Sequence, residues 1–218
     1  MKGVIFDFNG TLFLDDDKHV KAWGEMALEI RGKAVTAEEL HKHMNGKPNS
    51  QIIRYLNGGK EDPAAEEYYS NRKEEIYRRC CSEDQAHLHL IAGAEQLFDV
   101  LKERNIPFTI ASASIKPNID FFVEIFRLDH WIDPESIVYD DGTYENKIAM
   151  FKKAADVIGV PLQECTVFED SFSGIRSAAA AGVQDIRLLD SSHIYEQVKE
   201  LPQIRQVLDD MTAVTLDD

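Results

Sequence analysis

Positive charge is scarce in this sequence of 218 residues: 24 lysines and arginines stand against 39 aspartates and glutamates, a formal net charge of −15. Nucleic-acid backbones are gripped by a basic face, so no nucleic-acid partner is expected, and anionic membranes are disfavoured on the same ground. Cysteine is scarce too. Cys80, Cys81 and Cys165 show neither a metal-ligand spacing nor a disulfide framework, the pattern of reduced cytosolic thiols. Long apolar runs are missing. Asp7 stops the first one, Val4-Ile5-Phe6, which is too short for the core of a secretory signal. Nothing approaches the roughly 20 apolar residues of a membrane span. A cytoplasmic monomer without a membrane partner is expected. Internal repeats and low-complexity tracts are absent as well.

What is present is enough apolar material, 44% of residues, for a substantial core. The length suits one large domain, or a core domain with a smaller insertion. Short apolar runs at Gly3–Phe8, Pro107–Ser112, Ser136–Tyr139, Cys165–Glu169 and Asp185–Leu189 read as buried strands. Helical stripes separate the later ones, such as Ile119, Phe122, Val123 and Phe126, then Ile148, Phe151, Ala155 and Ile158. The alanine run Ala178–Ala181 ends at Gly182, a natural helix stop. Strands alternating with helices predict an α/β fold with a doubly wound parallel sheet.

Between the first two strands the rhythm changes. Residues 15–84 carry only helical patterns: a Val20, Trp23, Ala27, Ile30 face, a capping box from Thr36 to Glu39, and helices over Gln51–Leu56 and Asp62–Arg79. The expected organisation is an α/β core of residues 1–14 and 85–218 with an inserted helical domain of residues 15–84 over the carboxyl ends of the sheet. Acidic residues mark its limits, Asp15-Asp16-Asp17 at one end and Glu83-Asp84 at the other.

Ligands of open α/β sheets bind outside the carboxyl ends of the strands. The predicted ends carry Asp7-Phe8-Asn9-Gly10-Thr11, Ser112-Ala113-Ser114 and Glu169-Asp170-Ser171, and Lys147 follows the third strand at a helix start. Alternation places Asp7 and Asn9 on one side of an extended segment. These residue types suit phosphoryl transfer, which needs a nucleophile, charge neutralisation and positioning. Asp7 can attack phosphorus as a carboxylate. Asp170, Glu169, Asp7 and the Asn9 carbonyl offer hard oxygens for Mg²⁺. Ser112 and the amides after it, beginning with Ala113, can hold phosphoryl oxygens, and Lys147 can balance the anionic cluster.

In this form the motifs resemble those of the haloacid dehalogenase superfamily. Asp7-Phe8-Asn9-Gly10-Thr11-Leu12 looks like its first motif, normally Asp-x-Asp-Gly-Thr. Ser112 matches the second motif and Lys147 the third, while Val167-Phe168-Glu169-Asp170-Ser171 with Gly174 resembles the acidic fourth. The likeness spans nearly the whole chain and is nearest to the beta-phosphoglucomutase and small-phosphatase branch. It implies a HAD-like core with a helical cap, an aspartyl-phosphate on Asp7, Mg²⁺ as cofactor, phosphate contacts from Thr11, Ser112, Ala113 and Lys147, and a small phosphorylated metabolite as substrate. In the cap, the Asn45-Gly46-Lys47-Pro48-Asn49 turn and His19 are candidates for substrate contacts and for support of the acid/base position.

One departure matters. The family's acid/base aspartate is here Asn9, which donates and accepts hydrogen bonds but does not titrate. General acid–base help is worth ~10²–10⁴-fold. The expectation is a Mg²⁺-dependent phosphatase weakened on substrates whose leaving group must be protonated. The alternatives are a beta-phosphoglucomutase-like transferase and a phosphometabolite-binding protein with an impaired site. The family's phosphonate branch, which uses a cap lysine, would have to draw on Lys47.

Overall fold

The computed structural model describes residues 1–44 and 47–216. It divides into two compact units, Met1–Leu14 with His89–Asp218, and Asp15–Leu88. Asn45 and Gly46 of the candidate cap turn lie outside the described residues.

The first unit is built on six parallel strands: β1 (Gly3–Phe6), β2 (Phe108–Ile115), β3 (Val138–Asp140), β4 (Cys165–Glu169), β5 (Asp185–Leu189) and β6 (Ile204–Leu208). Their order across the sheet is β3-β2-β1-β4-β5-β6. This is the doubly wound order whose direction of winding reverses between β1 and β4, and such a reversal opens a crevice at the carboxyl ends of those two strands. Val4, Ile5 and Phe6 are fully buried, as expected of a central strand covered on both faces. Phe6 stacks on Phe168 of β4 with centroids 4.9 Å apart, and meets Phe98 edge-on at 5.2 Å. Each such ring contributes about 1.5–3 kcal/mol of burial.

Several expected boundaries shift. β1 ends at Phe6 rather than Phe8, because the chain then closes a tight turn: the N–H groups of Thr11, Leu12 and Phe13 all point to the Phe8 carbonyl. The Phe8 ring joins Phe13, Phe122 and Phe126 in a separate aromatic cluster. β3 begins two residues late, since Pro134–Ser136 form a 3₁₀ turn capped by Asp133. β6 has no counterpart in the sequence reading. It is an edge strand, and Arg205 and Gln206 interrupt its apolar pattern.

The helical unit holds α1 (Asp16–Arg31), α2 (Ala37–Glu39), which widens into a π turn over Leu40–Met44, α3 (Asn49–Leu56) and α4 (Pro63–Glu83). The capping box forms as expected, with Thr36 Oγ1 accepting from Glu39 N–H at 3.2 Å and Glu39 Oε2 accepting from Thr36 N–H at 2.9 Å. The apolar face of α1 is rotated from the expected one. Ala22, Trp23, Met26 and Ala27 are buried, whereas Val20 is 44% exposed. The core helices are α5 (Ala94–Glu103), α6 (Lys116–Phe126), α7 (Lys147–Ile158), α8 (Phe172–Ala181) and α9 (Tyr195–Val198). Among the described residues, no helix is long and apolar enough to cross a membrane.

Candidate active site

The crevice between β1 and β4 collects the acidic residues. Asp7 follows β1 directly, and its N–H donates to the Phe168 carbonyl at 2.9 Å, extending the pairing by one residue. Glu169 ends β4 and Asp170 follows it. One carboxylate oxygen from each of Asp7, Glu169 and Asp170 can be chosen so that all three lie within 4.8 Å of one another, and all three residues are buried. Lys147, the first residue of α7, reaches in: its Nζ donates to Asp7 Oδ1 at 2.6 Å and to Glu169 Oε1. Asn146 starts that helix by accepting from Ala149 N–H at 3.2 Å, so the cap sets where the lysine stem emerges.

Two glycines make room for this cluster. Gly10 has φ +78, and a Cβ there would sit 2.3 Å from Asp170 Oδ2. A Cβ on Gly174, in the first turn of α8, would sit 1.7 Å from Glu169 Oε1. The Glu169 carboxylate therefore packs on bare backbone at a helix start, where dipole and N–H groups favour an anion. Ser171 donates to its Oε2 through N–H at 2.7 Å and through its hydroxyl at 3.0 Å. Asp170 Oδ1 accepts from Thr11 Oγ1 at 3.1 Å.

Three carboxylates against one ammonium leave the cluster short of positive charge. Burial pushes the Asp7 carboxyl up to about 7, with Glu169 adding to the effect and Lys147 opposing it. Burial, then the charges of Glu169 and Asp7, push Asp170 up to about 8. The Lys147 ammonium is raised: its burial, which alone would lower it, is outweighed by Asp7 and Glu169. Carboxylates crowded in this way repel unless a cation joins them. The donor set is all hard oxygen, which fits Mg²⁺.

Asn9 lies in the turn after β1. Its Oδ1 accepts from Ser114 Oγ at 2.7 Å and from Ser112 Oγ at 3.3 Å. Ser112 Oγ accepts in turn from Ser114 N–H at 3.1 Å. A bulge between Ser112 and Ile115 turns this end of β2, leaving Ala113 exposed. Asp7 takes the Lys147 ammonium, and the Asn9 amide oxygen takes the Ser112 and Ser114 hydroxyls. Lys147 bonds Asp7 and Glu169, Thr11 bonds Asp170 in the same acidic cluster, and Asn9 bonds Ser112. Ala113 offers no polar side chain to either group, only its backbone amide. His19 belongs to a cluster inside the helical unit, with Nε2 3.3 Å from Asp15 Oδ2 and Nδ1 2.7 Å from Lys73 Nζ. Lys47 is exposed in the same unit.

The sequence reading missed Ser191 and Ser192 in the loop after β5. Ser191 Oγ donates to the Gly10 carbonyl at 2.9 Å, and Ser192 Oγ donates to Asp170 Oδ2 at 3.3 Å. Serines in a polar loop give no local signal. The carboxyl end of a strand next to β4 was the available clue.

Comparison with known proteins gives the family. The family model for haloacid dehalogenase-like hydrolases matches residues 1–182. The fructose-1-phosphate phosphatase YqaB of Escherichia coli is 30% identical over 200 residues, covering 86% of this chain and 97% of that protein. A phosphorylated carbohydrates phosphatase of Thermotoga maritima is 27% identical over 85% of this chain and 84% of its own length. Among solved structures, a family IA, variant 3 HAD hydrolase of Entamoeba histolytica superposes with a TM-score of 0.92 at 33% identity, covering 99% of this chain and 96% of the other.

Proposed function

The chain belongs to the haloacid dehalogenase-like hydrolases, and on that premise we propose that it is a Mg²⁺-dependent phosphatase of small phosphorylated metabolites, sugar phosphates among them, working through an aspartyl-phosphate on Asp7. The coarser part, a phosphoric monoester hydrolase of this family, follows from the family match and the phosphatases to which the chain is similar. One observation carries the finer reading: three buried carboxylates and a single lysine meet where the winding of the sheet reverses.

In this reading Asp7 attacks phosphorus through a carboxylate oxygen. The new oxygen–phosphorus bond forms as the bond to the leaving oxygen breaks, and water later hydrolyses the acyl phosphate to return Asp7 and release inorganic phosphate. Lys147, 2.6 Å from Asp7, holds the carboxylate and offsets charge on the phosphoryl group. Ser112 and the Ala113 amide bind its oxygens. Thr11, whose hydroxyl donates to Asp170, is a further phosphate contact. Asp7, Asp170, the Asn9 carbonyl and Glu169 would hold Mg²⁺, which would supply neutralising charge and orientation there. Asn9 orients groups through its amide but moves no proton. This disfavours a mutase, which must protonate and deprotonate sugar hydroxyls, and it favours substrates whose leaving group departs as an anion. The three cysteines are buried and free, in keeping with a reducing, cytoplasmic setting.

The test is a phosphatase panel with Mg²⁺, run on the parent and on Asn9→Asp. Asn9→Asp is expected to raise turnover of alkyl phosphates by about 10²-fold, and of acyl and aryl phosphates much less. Equal inertness of both proteins toward every substrate class, with fold and Mg²⁺ binding intact, would leave a phosphometabolite-binding protein instead.

A further inference from the structure

The loop after β5 belongs to neither strand that carries the acidic cluster, yet it is bonded to the segments following both. Ser191 reaches the Gly10 carbonyl, in the turn after β1, and Ser192 reaches Asp170, after β4. The loop is itself braced. Asp190 Oδ1 accepts the N–H of Ile194 at 2.7 Å and of Tyr195 at 3.1 Å. His193 adopts φ 52, a left-handed conformation that is strained for a non-glycine residue. Such a conformation persists only where the surroundings hold it.

The consequence falls on the Asp170 carboxylate. Oδ1 takes the Thr11 hydroxyl and Oδ2 the Ser192 hydroxyl, so the group cannot rotate without losing one of them. Each oxygen keeps further lone-pair capacity for another ligand. The bare face of Gly10 lies against the same carboxylate, and Ser191 pins the peptide that presents that face. We propose that Ser191 and Ser192 are positioning residues for the divalent cation: they hold the Gly10 turn and the Asp170 carboxylate in the arrangement the cation binds, and so set its affinity. The proposal rests on the metal reading above. Groups that hydrogen-bond a ligating carboxylate from behind remove its freedom before the metal arrives, and their loss typically costs 10–100-fold in affinity.

The experiment is calorimetric titration of Mg²⁺ into the full chain, with thermal melting of the metal-free protein alongside. Ser192→Ala is expected to raise the Mg²⁺ Kd about tenfold while the metal-free midpoint stays in place. Ser191→Ala should produce a smaller rise, and Ser192→Thr, which keeps the hydroxyl, should restore the parent value. A second arm uses Ca²⁺: a carboxylate free to swing suits the larger, geometrically tolerant ion, so the preference for Mg²⁺ over Ca²⁺ should fall in Ser192→Ala. The proposal is overturned if both alanine variants bind Mg²⁺ like the parent, or if Ser192→Thr is as weak as Ser192→Ala. Asp170→Asn separates this from the underlying reading. If it loses Mg²⁺ while the serine variants do not change, only the serine proposal falls; if it binds as the parent does, or the parent binds none, both fall.

Discussion

The two units each bury an ionic cluster, and the clusters are built on opposite plans. In the helical unit Lys73 is 2% exposed and Glu74 is 7% exposed. The lysine donates to Glu74 Oε1 at 2.8 Å and lies 2.7 Å from His19 Nδ1, over the rings of Trp23 and Tyr77. Asn49 donates to the same Glu74 oxygen at 2.8 Å, and Tyr77 donates to Asp15. The Lys73–Glu74 pair is balanced one for one. In the core unit a single ammonium serves Asp7 and Glu169, with Asp170 beside them. That pair can serve packing without any ligand, although Asp15, bonded by Tyr77 and 3.3 Å from His19, brings a second buried carboxylate to the same cluster. The core cluster is left with excess negative charge, as a site built around a cation would be. A buried ionic group therefore says little about function until its charges are counted.

That contrast can be broken at its strongest point by Asp7→Asn. If the core cluster is catalytic, turnover of every phosphate ester should drop by about 10⁴-fold or more, since removing a nucleophile removes the covalent route. Residual turnover near the parent rate, measured with purified protein, would place the nucleophile elsewhere. Next in size is Lys73→Met. Breaking one partner of a balanced buried pair strands the other, at a cost of about 3–5 kcal/mol in urea unfolding. Lys73→Met combined with Glu74→Leu should recover most of it. In the core the sign reverses. Metal-free Asp170→Asn should be no less stable than the parent, because a carboxyl whose charged form is already disfavoured gives way to a neutral amide. Mg²⁺ at about 100 times its Kd should then stabilise the parent by about 2.7 kcal/mol and leave Asp170→Asn unmoved. Destabilisation of both clusters alike by single substitutions would erase the distinction. The smallest effect sharpens it: Thr36→Ala removes the capping box of α2, far from either cluster in sequence, and should cost about 1 kcal/mol. Its response to Mg²⁺ should match the parent's.

Much of the site was legible before any coordinates. Asp7, Lys147, Glu169 and Asp170 sit in short motifs at strand ends or helix starts, and strands of a parallel sheet all deliver their carboxyl ends to one edge. β4 and β5 were read to the residue because both are short apolar runs with sharp polar or glycine limits. Less visible were features that depend on partners distant in sequence. The motif marks Thr11 as a phosphate contact but gives no sign that its hydroxyl donates to Asp170. Ser114 was passed over beside Ser112, although it makes the shorter bond to Asn9. The α1 face was misjudged because a helix with few apolar residues offers more than one stripe.

The sequence by itself determined the fold class, the family and the chemical types gathered at the sheet's edge, since these follow from local periodicity and from residues adjacent along the chain. It also determined that Asn9 cannot carry a proton, which is a property of the side chain wherever it lies. Only the tertiary structure decided which hydroxyl serves which carboxylate, that Gly10 and Gly174 are spaces for Asp170 and Glu169, and that the loop after β5 closes the group. Such pairings join segments far apart along the chain through contacts of about 3 Å, a scale set by backbone turns and packing, and no local pattern encodes it.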